Sequence, residues 1–119
     1  MEITVHSVFL TMYYALEAAL EAASDEFAGP EFETFVMDCD PFIWKDHISA
    51  DPAVYSEFSE AYVRSYGEGP VSAEEARTFC RGWLKEQAEY EYYRGPLVEA
   101  FDSVATPEDW ERVLSELEA

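Results

Sequence analysis

Four glutamates at helical spacing are the groups in this chain best placed to do chemistry. Glu57-x-x-Glu60 and Glu86-x-x-Glu89 each set two carboxylates one turn apart on a single helix face. Carboxylates converging from two facing helices form a donor set for Mg²⁺ or a di-metal centre. A site of that kind would make the protein a magnesium-dependent all-α hydrolase acting on a nucleotide or phosphate substrate. A di-iron bundle would need Glu-x-x-His instead, and neither His6 nor His47 follows a Glu by three residues.

The paired acids resemble those of the all-α nucleoside triphosphate pyrophosphohydrolases, which place Glu-x-x-Glu and Glu-x-x-Asp pairs on neighbouring helices around magnesium. That resemblance implies Glu57, Glu60, Glu86 and Glu89 as metal ligands. The chain departs from the pattern at two points. Glu89 stands where an Asp is usual, and Glu57 has no adjacent second Glu. The chain holds 19 Glu in 119 residues, so pairs at this spacing arise by chance, and solvated helix faces account for them more simply. The residues therefore favour no metal, no cofactor and no catalytic group.

A second constellation is basic. Arg77, Arg81 and Lys85 recur every four residues and form one ridge, three of only seven Lys and Arg. Such a ridge could clamp a phosphate or carboxylate ligand. The simpler expectation is that it faces the acid-only N-terminal region, or pairs along its own helix with Glu74 and Glu89. Asp38-Cys39-Asp40, with Asp46-His47 nearby, could be drawn as a thiol or metal site. Negative neighbours disfavour a thiolate, however, and Asp40 has a capping role before Pro41. Cys39 and Cys80 fit no ligand spacing and read as free buried thiols. No P-loop, no Gly-x-Gly-x-x-Gly and no Gly-x-Ser-x-Gly elbow occurs.

Charge sets the wider bounds. The chain carries 26 acids and seven bases, a formal −19, and its first 44 residues hold nine acids with no Lys or Arg. So few bases cannot form a broad positive face, which disfavours direct nucleic-acid contact and anionic membrane surfaces. With 49% apolar residues and 19 aromatic ones, a packed core is expected despite the charge. The apolar run at 8–16 is too short to cross a bilayer and no signal peptide stands out, so the expected location is cytoplasmic.

The elements that position these groups read as helices throughout. Apolar residues recur at three- and four-residue steps from about Thr4 to Phe27, and Leu10, Tyr13, Tyr14 and Leu20 widen the stripe until it runs nearly all round. Pro30 opens a short helix with Phe32, Phe35 and Val36 on one face. Asp40-Pro41 begins a tight turn over Phe42, Ile43 and Trp44. Asp51-Pro52 begins a helix to Tyr66 that turns Val54, Phe58, Ala61 and Tyr62 inward. Ser72-x-x-Glu75 is a capping box for a helix running to about Tyr93. Leu97, Phe101 and Val104 mark a short helix, and Thr106-Pro107 starts a last one with Trp110, Val113, Leu114 and Leu117. The expected fold is all-α: a single-domain bundle of five or six helices over residues 1–119 with short Gly/Pro connections.

These features favour binding over catalysis. The expected function is to dock onto a basic protein surface, as inhibitors, immunity proteins and phosphate-backbone mimics do. Electrostatic steering would speed encounter and aromatic side chains would anchor the complex. The expected contact residues are Glu17 and Glu21, with Tyr90, Tyr92 and Tyr93, whose rings no single helix face can bury. A homodimer through the apolar N-terminal helix is also compatible with the sequence.

Overall fold

The computed structural model describes residues 3–21, 30–42, 49–67, 71–89 and 96–118. These residues form six helices: α1 (Val5–Glu21), α2 (Pro30–Cys39), α3 (Pro52–Tyr66), α4 (Ala73–Gln87), α5 (Leu97–Val104) and α6 (Pro107–Glu118). No strand occurs among them. The protein is an all-α bundle.

Local chemistry starts four of the helices. Thr4 and Ser7 exchange hydrogen bonds at the head of α1, Ser7 N–H to Thr4 Oγ1 at 3.2 Å and Thr4 N–H to Ser7 Oγ at 3.3 Å. Asp51 accepts from the Ala53 N–H at 3.0 Å, with Pro52 already held at helical φ. Ser72 and Glu75 close the capping box in both directions. Thr106 accepts the Asp109 N–H at 3.3 Å. Gly67 ends α3 at φ +63°, a left-handed turn that side chains rarely adopt. Helix α4 stops earlier than its sequence suggests. Its last turn tightens so that the Glu89 N–H reaches the Glu86 carbonyl at 3.1 Å, a three-residue closure.

Helix α1 runs through the centre of the bundle, in contact with α2, α3, α5 and α6. Val8, Phe9, Met12 and Leu16 are fully buried on it, which is why its apolar surface extends round the helix. Most of that surface lies inside the bundle. A chain of rings joins α1 to α3 and α4. Phe9 meets Phe58 edge-on at 5.2 Å, and Phe58 meets Phe79 at 5.3 Å and Trp83 at 5.1 Å in the same manner. On the other side, Trp110 of α6 packs on Phe101 of α5 and donates its indole N–H to the Ala73 carbonyl at 2.8 Å, tying α6 to the start of α4. Cys39 and Cys80 are free and buried in this core, and burial pushes both thiols well above their usual range. No helix among the described residues is long and apolar enough to cross a membrane.

Candidate functional site

On α1, Tyr13 and Glu17 lie one turn apart, so the Tyr13 hydroxyl can donate to the Glu17 carboxylate. Burial raises the Tyr13 hydroxyl far above the ordinary tyrosine range, and the bond to Glu17 and the charge of Asp40 push the same way. The ring thus sits between two carboxylates, one bonded to its hydroxyl and one acting through charge alone.

Asp40, just past the C-terminus of α2, accepts the Phe42 N–H at 2.8 Å and so fixes the turn that follows. That turn carries Phe42 outward, and its side chain is 68% exposed. Its ring lies 6.4 Å from those of both Tyr13 and Tyr14, within the range of favourable ring pairs. Tyr14 is itself 37% exposed. Two large rings therefore stand at the surface over a buried tyrosine, with Glu17 and Asp40 beside them. Glu21, one turn beyond Glu17, is exposed. Neither α1 nor α2 carries a Lys or Arg, so nothing on these two helices offsets the carboxylates. Of the expected contact residues, Glu17 and Glu21 belong to this surface; Tyr90, Tyr92 and Tyr93 lie outside the described residues.

The basic ridge faces a different way. Arg81 grips Asp102 of α5 with two parallel bonds, Nε at 2.8 Å and Nη2 at 2.9 Å. Arg77 donates Nη2 to the same carboxylate at 3.2 Å and Nε to the Ala105 carbonyl at 2.7 Å, while its guanidinium lies 5.6 Å from the centre of the Phe101 ring. The ridge thus meets α5 and the turn after it, rather than the N-terminal region or Glu74 and Glu89. A four-residue period aligns the bases with one another but leaves open which neighbouring helix they meet. The Arg81 bonds hold Asp102 below its ordinary range. An internal carboxylate fills the place an external anion would take between Arg77 and Arg81, and Lys85 is exposed one turn further along.

Glu57, Glu60, Glu86 and Glu89 are all exposed. Among the described residues, no three His, Cys, Asp or Glu side chains converge as a metal would require. Asp46 and His47 lie outside those residues. Cys39 is sealed in the core with its thiol protonated.

Two contributors to the surface were not to be found in the sequence. Tyr14 sits inside an apolar pattern that promised burial, and Phe42 sits in a turn with no repeat to give its direction. The Asp40-Pro41 pair marked the turn but not the direction of the ring that follows it.

No family model, curated protein or solved structure matches this chain.

Proposed function

We propose that this protein binds the basic surface of another protein through the α1–α2 flank. Tyr14 and Phe42 act as aromatic anchors, and Glu17, Glu21 and Asp40 supply the charge that orients the partner. The observation that carries the reading is the exposure of two contacting rings on helices that hold carboxylates and no base. Large exposed rings bring contact area at low cost in conformational entropy, and they dominate binding energy where water is excluded around them. The formal −19 adds long-range attraction for a basic partner and repulsion of anionic ones.

The test is affinity capture from the native cell with wild type, Phe42→Ser and Glu17→Gln/Glu21→Gln as baits. A basic partner should be retained by wild type at 50 mM salt and released towards 0.5 M, where screening shortens to a few ångströms. Both variants should retain less of it. Capture of the same proteins by wild type and Phe42→Ser in equal amounts would refute the anchor role, and no basic partner at low salt would refute the function.

A further inference from the structure

Tyr14 belongs to two features at once. Its ring meets Phe42 on the acidic flank, and it also lines a groove of about 210 Å³ between α1 and α6. The groove is walled by Ala15 and Ala18 of α1, by Val104 and Val113, and by Trp110. Small-molecule sites occupy about 300–1,000 Å³, so this space suits one or two side chains better than a cofactor. Its polar groups stand at the margin. Asp109 and Arg112 form a 3.1 Å pair whose side chains are 54% and 62% exposed, and such a pair is weak enough for an incoming cation to displace Arg112. Tyr14, Ala18 and Glu21 fall on one stripe of α1, so the exposed Glu21 carboxylate lies one turn beyond the groove's Ala18 wall. An apolar trough with the weakly paired Asp109 at its rim and Glu21 one turn beyond, on a chain of formal −19, is the complement of a helix bearing apolar anchors on one face and Lys or Arg beside them. A second copy of this chain fits poorly, because each copy would bring a formal −19.

Resting on the basic-partner reading above, we infer that the α1–α6 groove receives one or two aliphatic side chains from a basic amphipathic helix of the partner. Lys or Arg side chains of that helix meet Glu21 and Asp109, and Tyr14 joins the groove to the Phe42 surface in one continuous contact.

The test uses two synthetic 16-residue peptides of equal charge, a helical Leu/Lys sequence and its Ser/Lys counterpart, titrated into the full chain by calorimetry at 50 mM salt. Burying two leucines should make the Leu/Lys peptide bind at least about tenfold more tightly. Ala18→Trp fills the groove from an exposed position and should bring the two affinities within about twofold while leaving the Ser/Lys peptide unchanged. Amide chemical-shift mapping on the wild type gives a second readout that needs no variant. The Leu/Lys peptide should perturb Ala15, Ala18 and Val113 most, and perturbation confined elsewhere would overturn the groove. So would equal binding of the two peptides, a result that leaves the basic-partner reading standing. Binding of neither peptide would remove both. Sedimentation as a dimer that Ala18→Trp splits would assign the groove to a second copy and reject the partner helix.

Discussion

The two flanks of the bundle treat charge in opposite ways. Where α4 packs on α5, Arg77 and Arg81 converge on Asp102, and the Ala105 carbonyl and the Phe101 ring take up the rest of Arg77. Where α1 meets α2, Glu17 and Asp40 gather around Tyr13 with no base on either helix, and two rings remain in water. The first flank satisfies its polar groups internally and so holds helices together. The second leaves two rings at the surface beside carboxylates that no Lys or Arg of α1 or α2 offsets. Side chains that look alike in composition therefore join two helices on one side and stay at the surface on the other, where the proposed binding face lies.

The largest contrast should come from deleting one ring on each side. Trp110→Ala removes a buried ring and the indole bond to Ala73, and should cost about 3–5 kcal/mol in urea unfolding. Phe42→Ala should stay within about 0.5 kcal/mol in the same experiment. Comparable losses from the two would mean that Phe42 belongs to the core and that the two flanks do not differ in kind.

Asp102→Asn should cost about 1–2 kcal/mol, a figure kept modest by the partial exposure of the pair. The sign of its pH dependence follows from the depressed folded value. The stabilisation is fully present above the unfolded pKa of about 3.9 and fades as the pH falls through the lower folded one. Acid unfolding curves of wild type and Asp102→Asn should therefore converge below pH 4. Curves that stay parallel would show that the carboxylate charge contributes nothing.

Glu17→Gln should have the smallest effect. Removing the carboxylate lowers the Tyr13 titration part of the way towards the ordinary value of about 10, and burial keeps it above. Because the folded value is raised, the associated stability is present below about pH 10 and is lost as the pH climbs beyond it. Ultraviolet titration of the tyrosines would register the change, and an unaltered Tyr13 would remove Glu17 from its environment.

Much of the architecture was legible in the chain because the signals are local. Asp51-Pro52, Ser72-x-x-Glu75 and Thr106-Pro107 each satisfy backbone groups within three residues, so helix starts can be read without knowing the fold. Val54, Phe58, Trp83 and Leu114 followed their periodicity into the core. The early end of α4 did not show, because Tyr90 follows Trp83 by seven residues and so continues the apolar pattern past the point where the last turn tightens. The candidate surface was legible only in part. Glu17 and Glu21 stand out as acids on a base-free helix, yet Tyr13 and Tyr14 are indistinguishable by pattern. A helix that is apolar all round has no polar face from which to tell the buried ring from the exposed one.

Composition and short-range spacing were enough to make this chain a helical, strongly acidic protein, since caps, prolines and formal charge act within a few residues or not through structure at all. Long-range packing settled the rest: that Arg77 and Arg81 meet Asp102, and that Tyr14 and Phe42 share a surface beside Glu17. Those contacts join residues 21 to 28 positions apart in the chain, and only the docking of one helix against another brings them within reach.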